Sequence, residues 1–301
     1  MSIEDIAILG AGAVGASIAH QLTGHLSSAE KPSRISIIAA GERAERYRRE
    51  GLTVNGEVIR PRIVSEGNFD LIIIAVKSYH MDEALELLDP CVGEKTLLMS
   101  LLNGIESEGI LGNRCGHEKV VPAMILGIDA QRDESGIRYT NNGVIHYGPN
   151  PAAPDRPGAL AELDAWFADS GLGHQKSGDI TKALWRKFMI NVGANQASAL
   201  YKAPYRDLQT DTEARKLMFD AMEEVVALSR LEGTGLTQQD IEDWKKLLDT
   251  LDPTGLTSMA QDAAAGRKME VDIFAGTVAA LAARHGLEVP VNRMLMGKLG
   301  G

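Results

Sequence analysis

Near its start the chain reads Ile6-Ala7-Ile8-Leu9-Gly10-Ala11-Gly12-Ala13-Val14-Gly15. The apolar run predicts a buried strand, and the apolar spacing from Ala16 to Leu22 predicts a helix. Between them stands G-x-G-x-x-G, whose glycines allow a tight turn, close approach of backbone to phosphate, and packing of helix on strand. The helix start would direct unpaired N–H groups at an anion. We therefore predict a dinucleotide site at Gly10, Ala11, Gly12, Ala13, Val14 and Gly15; the alternative is a glycine-rich turn that only packs.

Size and composition narrow the class of protein. A chain of 301 residues predicts about two domains, and 44% hydrophobic with 24% charged residues is typical of a globular protein. A net charge of −10 argues against a nucleic-acid surface. The two cysteines, Cys91 and Cys115, form no C-x-x-C pair, and no histidine pattern predicts a metal site. With no membrane-spanning run and no room for a signal peptide before the first strand, we expect a cytoplasmic protein.

The first half alternates apolar strands with helices. The predicted strands are Ile6–Leu9, Ile35–Ala39, Leu71–Val76, Thr96–Leu101 and Val120–Leu126. This alternation predicts an α/β domain with a parallel sheet covered by helices on both faces. Residues 136–148, around Asn141-Asn142-Gly143, predict a hairpin that extends this sheet.

The second half has no predicted strands. Helices are predicted at Leu184–Leu200, Glu213–Leu231, Gln238–Leu251 and Val271–His285, with Thr237 and Asp240 at the start of the third. We therefore predict a dinucleotide-binding domain over residues 1–178 and an all-helical domain over residues 179–301.

One predicted helix carries a polar stripe on an apolar background. Lys187, Asn191 and Asn195 are spaced i, i+4 and i+8, which places them on one face. Asparagine is a poor helix former, so two on one face need a reason. Either the stripe faces solvent, or it lines a cleft in which Lys187 donates a proton and the amides hold substrate oxygens. A second polar group, from Ser258 to Asp272, includes Glu270; its pattern alone fits a site or ordinary surface charge equally.

Three more candidates lie where predicted strands end. Lys77 and Asn103 follow two strands at the carboxyl edge, where open α/β sheets bind ligands, although residues that merely open loops would look the same. After the second strand no carboxylate ends the strand itself. Arg43 could pair with the 2′-phosphate of NADP, whereas Glu42 could take the ribose-binding role found in NAD sites.

Taken in order, these motifs resemble the ketopantoate reductase (2-dehydropantoate 2-reductase) family. The matching pieces span nearly the whole chain: the glycine motif, Val76-Lys77-Ser78-Tyr79, Leu102-Asn103-Gly104-Ile105, the Trp185/Lys187/Asn191/Asn195 stripe, Ser258-Met259-x-x-Asp262, Gly266-Arg267-x-x-Glu270 and Pro290-x-Asn292. The resemblance implies an N-terminal Rossmann domain, a C-terminal helical domain like that of 6-phosphogluconate dehydrogenases, and an active site in the cleft between them.

The resemblance also implies the chemistry, an NADPH-dependent reduction of a 2-oxo acid to a 2-hydroxy acid. Lys187 would be the catalytic acid and Glu270 would orient substrate and lysine. Asn191, Asn195 and Ser258 would bind substrate, and Lys77 and Asn103 would lie near the nicotinamide ribose. Many members carry an arginine directly after the second strand, where this chain has Ala40, so Arg43 is the candidate to replace it.

The leading hypothesis is therefore a reductase of 2-dehydropantoate in pantothenate and coenzyme A synthesis. The alternatives are a reductase of a different branched 2-oxo acid and a non-catalytic NAD(P)-binding sensor. Family members occur as monomers and as dimers, and we expect a homodimer here.

Overall fold

A five-stranded parallel sheet organises the first part of the chain, in the order β5-β2-β1-β6-β7. The computed structural model describes residues 3–26, 34–153 and 158–300. The elements of this part are β1 (Asp5–Leu9), α1 (Ala13–Leu26), β2 (Arg34–Ile38), α2 (Gly41–Glu50), β3 (Leu52–Val54), β4 (Glu57–Ile59), β5 (Arg62–Val64), β6 (Leu71–Ile74), α3 (Met81–Leu88), β7 (Leu97–Ser100), α4 (Ser107–Cys115), β8 (Ala123–Leu126), β9 (Gln131–Asp133), β10 (Gly136–Arg138), β11 (Val144–Tyr147), α5 (Ala159–Ser170) and β12 (His174–Lys176).

The central strand of the sheet is β1, which pairs in parallel with β2 on one side and β6 on the other. β6 and β7 are buried along their whole length, as expected for strands covered on both faces. The chain first builds outward on the β2 side and then crosses to the β6 side. Such a switch point opens a crevice at the carboxyl ends of the strands, so the sheet is of the Rossmann type and confirms the predicted α/β class.

Two smaller sheets, β4-β3-β10-β9 and β12-β11-β8, correct the sequence prediction. Within the predicted strand Val120–Leu126, Val120 forms a single parallel bridge to Leu98 of β7, but β8 itself pairs antiparallel with β11 in a separate sheet. The predicted hairpin over residues 136–148 is also wrong. Its first half, β10, pairs with β9 and β3, and its second half, β11, pairs with β8 and β12.

The carboxylate of Asp129 explains why the chain does not turn back on itself there. It accepts hydrogen bonds from the backbone N–H groups of Thr140 and Asn141, at 2.9 and 2.8 Å, and from the Thr140 hydroxyl. This holds residues 140–141 in a connecting loop between two sheets. The hairpin signal that does operate is Asn55-Gly56, which joins the antiparallel β3 and β4 with both residues at positive φ.

The described remainder of the chain after β12 is helical. Its helices are α6 (Ile180–Ile190), α7 (Gln196–Tyr201), α8 (Tyr205–Gln209), α9 (Glu213–Glu232), α10 (Gln238–Leu248), α11 (Ser258–Ala264), α12 (Thr277–His285) and α13 (Pro290–Leu299). The Asp240 carboxylate accepts from the Thr237 N–H at 2.8 Å, so the predicted start of α10 is confirmed.

Two predicted helices contain π turns. Residues Asn191–Asn195 form one between α6 and α7, and Asp272–Gly276 form another before α12. The helices predicted at Leu184–Leu200 and Val271–His285 are therefore present, but each contains a π turn that the sequence pattern does not predict. Each turn inserts one extra residue into the helical path, a feature found often at functional sites.

The chain divides into two compact units. One comprises the chain up to Leu102 together with Glu106–Ile180; the other comprises Asn103–Ile105 together with the chain from Thr181 onward. Each unit has an apolar core of its own, with two clusters in the first unit and one in the second, and Ile105 packs against the core of the second. The boundary drawn between residues 178 and 179 from the sequence stays a prediction. Within the described ranges, no helix is both long and apolar enough to cross a bilayer.

Candidate functional site

In the first unit the three motif glycines stand in different surroundings. Gly10 has φ +102°, and a Cβ there would lie 2.8 Å from the backbone of Ala75. A Cβ on Gly15 would lie 1.9 Å from the carbonyl oxygen of Gly10. On Gly12, by contrast, a Cβ would meet nothing closer than the Ala75 carbonyl oxygen at 4.0 Å. The protein's own packing thus requires two of the glycines, while the third leaves an open approach to the start of α1.

A cavity of about 760 Å³ opens beside this loop, at the carboxyl ends of the parallel strands. Gly10 and Ala11 line one wall, the end of β2 with the first turns of α2 lines a second, and residues from Val76 to Leu87 line a third. The open face of Gly12, the N–H groups at the start of α1 and this cavity fit a dinucleotide.

Several charged residues of α2 line the same cavity. Arg43, Arg46 and Arg49 line it together with Glu42 and Glu45. The Arg46 guanidinium lies 5.3 Å from the centre of the Tyr47 ring, and Arg49 pairs with Glu50 at 2.6 Å. Of the predicted cofactor residues, Gly10, Ala11 and Arg43 therefore share one cavity. Lys77 directly follows Val76 of the lining and is half-buried.

Sequence pattern gives no hint of one neighbour of the glycine loop, Arg132. Its Nη1 atom donates to the carbonyl oxygen of Ala11 at 3.4 Å. The residue lies on β9, a three-residue strand whose members are all exposed. A single arginine on a short surface strand carries no motif, so only the folded chain places it beside this loop.

In the second unit the predicted substrate residues lie together. The Asn195 amide donates to the Asn191 side-chain oxygen at 3.3 Å and to the Ser258 hydroxyl at 3.4 Å. Asn195 is 7% exposed, Asn191 is half-buried, and Ser258 is exposed at the start of α11. Lys187 lies one helical turn before Asn191, in the last turn of α6, and is half-buried.

The π turn that carries both asparagines is fixed from two sides. A Cβ on Gly193 would lie 2.6 Å from the carbonyl oxygen of Met218, so only glycine lets α9 pack this close. On the other side, the buried Gln196 amide donates to the Val192 carbonyl at 2.7 Å and to the Asn292 side chain at 3.4 Å. The turn is thus held by packing and by hydrogen bonds.

Glu270 precedes the second π turn and is 7% exposed. Its Oε2 atom accepts from the Asn103 amide at 3.3 Å, which joins two residues far apart in sequence within the second unit. The loop between Ser258 on α11 and Glu270 is held by Asp262, whose carboxylate accepts from the Arg267 Nε at 2.7 Å. The two π turns also pack against each other.

Neither cysteine offers an activated nucleophile, and the described chain offers no metal centre. Burial, with a smaller contribution from the charge of Glu66, raises the pKa of Cys91 to about 11. Burial also raises the pKa of Cys115. Among the residues with described positions, no cluster of three or more His, Cys, Asp or Glu side chains could hold a metal ion.

Comparison with known proteins assigns the family. Residues 6–152 match the family model described as ketopantoate reductase PanE/ApbA, and residues 179–301 match the model of its C-terminal part. The chain belongs to the ketopantoate reductase family. A 2-dehydropantoate 2-reductase of Caulobacter vibrioides is 29% identical over 99% of this chain and 98% of its own.

Solved structures of similar fold extend over both units. A PanE/ApbA family ketopantoate reductase from Ralstonia eutropha has a TM-score of 0.82 at 26% identity, covering 98% of this chain and 97% of its own. A D-mandelate dehydrogenase solved with NADH and anilino(oxo)acetate has a TM-score of 0.86 at 21% identity, with the same coverage. Ketopantoate reductases are oxidoreductases, and this chain has their two-part architecture.

Proposed function

We propose that this protein reduces a 2-oxo acid to the 2-hydroxy acid with NADPH, and that 2-dehydropantoate is its substrate. The observation that carries the proposal is the similarity to the 2-dehydropantoate 2-reductase of Caulobacter vibrioides, which extends over 98% or more of both chains. The side chains gathered in the second unit support it, because a lysine, amides, a hydroxyl and a carboxylate are the groups that a keto acid requires.

The proposed roles follow from what happens at the substrate carbonyl. When bound, the nicotinamide supplies a hydride to the carbonyl carbon. Lys187 holds a proton on its Nζ atom, stabilises the negative charge that develops on the substrate oxygen, and transfers the proton to it. Asn191, Asn195 and Ser258 bind the oxygens of the acid. Glu270 orients the substrate and Lys187.

We propose NADP(H) as the cofactor, with the glycine loop on the pyrophosphate and Lys77 and Asn103 near the nicotinamide ribose. Arg43 would bind the 2′-phosphate, since this residue lines the cavity beside the end of β2. Glu42 lines the same cavity, and as a ribose-binding carboxylate it would favour NADH instead. Replacing Arg43 by alanine should therefore raise the Kd for NADPH and leave the Kd for NADH unchanged.

The deciding experiment is oxidation of NADPH, with NADH in parallel, against a panel of 2-oxo acids. The panel should contain 2-dehydropantoate, other branched 2-oxo acids and an aryl 2-oxo acid. We expect the highest kcat/KM for 2-dehydropantoate with NADPH. If 2-dehydropantoate is inert while another 2-oxo acid is turned over, the proposed substrate is wrong but the proposed class of reaction is correct.

Lys187→Ala separates an enzyme from a sensor. Loss of the proton donor should lower kcat by about 10²- to 10⁴-fold and leave the Kd for NADPH unchanged. Lys182→Ala is the matched control, because it removes an amine from the same helix, where Lys182 pairs with Asp240 at 3.5 Å. Full turnover by Lys187→Ala would refute the catalytic role.

The homodimer and the cytoplasmic location stay predictions. Light scattering in solution tests whether the protein is a homodimer.

A further inference from the structure

Arg132 is held beside the glycine loop by the pairing of its strand. In the antiparallel pair of β9 and β10, Arg132 lies directly opposite Ile137. Opposed residues project from the same face of a sheet. Ile137 is 2% exposed and belongs to the same core cluster as Ala11 and Ala16. The buried isoleucine therefore fixes the face from which the Arg132 guanidinium reaches the Ala11 carbonyl.

The Arg132 charge is poorly matched by the protein around it. In the described part of the chain, no carboxylate lies within ion-pair distance of its guanidinium, and its hydrogen bond to Ala11 is long, at 3.4 Å. The loop that it contacts leads into the start of α1, and the N-terminal end of a helix repels a cation. An anion bound in the loop would place negative charge beside the Arg132 guanidinium, and the interaction of the guanidinium with this site would become attractive.

We propose that Arg132 is a phosphate-binding residue for the dinucleotide pyrophosphate; this rests on the dinucleotide site proposed above. The guanidinium has five N–H donors, and the Ala11 carbonyl engages one nitrogen. The remaining donors can bind a non-bridging phosphate oxygen while the backbone N–H groups of the loop bind the other side. Arg132 thus supplies positive charge to a loop that otherwise relies on backbone dipoles.

The test compares Arg132→Gln with the wild type by titrating NADPH and NADH and following cofactor fluorescence. Because both dinucleotides carry the pyrophosphate, Arg132→Gln should raise both Kd values about tenfold and by the same factor. It should also make both Kd values less sensitive to ionic strength. Arg132→Lys, which keeps the charge, should recover part of the affinity.

Arg138→Gln is the matched control. Arg138 is an exposed arginine on the adjacent strand β10, where it lies opposite Gln131. This variant should bind both cofactors like the wild type, and without cofactor all variants should melt at the wild-type temperature.

The outcomes separate this proposal from the others. Loss of affinity for NADPH alone would assign Arg132 to the 2′-phosphate and overturn the pyrophosphate role. Unchanged affinity for both cofactors would also overturn it. If the wild type binds neither dinucleotide, the proposed function itself fails.

Discussion

At the scale of single residues, Gly12 and Gly15 belong to one motif but serve different partners. A methyl group on Gly15 would lie 1.9 Å from the Gly10 carbonyl oxygen, whereas on Gly12 its nearest neighbour would be the Ala75 carbonyl oxygen at 4.0 Å. We therefore expect Gly15→Ala to lower the free energy of unfolding by about 1–3 kcal/mol. Gly12→Ala should leave stability unchanged and raise the Kd for NADPH more than tenfold, because the methyl group occupies the approach of the phosphates.

Chemical denaturation and fluorescence titration of the two variants measure both effects. Gly24→Ala is a control on the same helix, because a Cβ there has nothing within 4 Å. Gly24→Ala should leave the Kd for NADPH unchanged and should not lower the free energy of unfolding. Cofactor binding by Gly12→Ala at wild-type strength would contradict the assignment of the loop to phosphate.

The sequence is informative about such residues when their partners are local. Gly10 and Gly15 contact each other across five positions, so the motif itself predicts their contact. The pairs Asn103–Glu270 and Arg132–Ala11 join distant positions and can be seen only after folding. For Asn103 and Glu270 the resemblance to a family names both residues without predicting that they bind each other.

At the scale of elements, the π turn at Asn191–Asn195 depends on Gly193. A Cβ at this position would meet the Met218 carbonyl and the Met222 side chain, each at 2.6 Å. Because a backbone carbonyl cannot move aside cheaply, Gly193→Ala should destabilise the protein by about 1–3 kcal/mol. The displaced turn should also raise the KM for the keto acid while the Kd for NADPH stays constant.

Gly297→Ala is the control for this variant. Gly297 lies inside α13, and a Cβ added there would have nothing within 4 Å, so alanine should stabilise the helix by up to about 1 kcal/mol. A Gly193→Ala protein with wild-type stability and wild-type KM would show that the turn tolerates a shift of α9.

The loop from β10 to β11 depends on the charge of Asp129. Partial burial opposes ionisation, but the hydrogen bonds from the Thr140 hydroxyl and from the N–H groups of Asn141 and Thr140 outweigh it and lower the pKa of this carboxyl below its ordinary 3.8. A carboxyl with a lowered pKa stabilises the fold above its unfolded-state pKa, and this contribution is lost as the pH falls through the folded-state value. Asp129→Asn should therefore lower Tm by a few degrees at neutral pH. The difference should begin to shrink as the pH falls below about 3.8 and should vanish only below the lower pKa of the folded state.

Thermal melting across acidic pH measures this difference. Glu134→Gln, which removes an exposed carboxylate from the nearby turn, should melt like the wild type at every pH. A constant Tm difference for Asp129→Asn at all pH values would point to packing rather than charge.

Sequence pattern predicts an element well when its apolar pattern extends over many residues. It fails when the element depends on pairing with residues far away in the sequence. Strands β1, β2, β6 and β7 of the parallel sheet consist mainly of apolar residues and were predictable for that reason. The edge strand β5 has three residues, one of them exposed, and resembles a loop. A π turn keeps the apolar character of the helix around it, so no periodicity reveals the extra residue.

At the scale of the whole molecule, the change from alternating strands and helices to helices alone predicts two differently built parts. That inference depends on composition over many residues and is insensitive to errors at single elements. What it misses is the short segment Asn103–Ile105, which belongs to the second compact unit although it interrupts the first. Three residues carry too little pattern to reveal membership in either part.

This interruption has a consequence for how the protein is made and recombined. The ribosome completes Asn103–Ile105 well before the rest of its unit, which begins again at Thr181, so these residues must wait for their packing partners. A gene fusion that joined residues 181–301 to another nucleotide-binding protein would carry Glu270 but leave the Asn103 amide behind. The helical unit therefore consists of two segments of the chain. A chimera of two relatives should be functional only when both segments, Asn103–Ile105 and the part from Thr181 onward, come from the same parent.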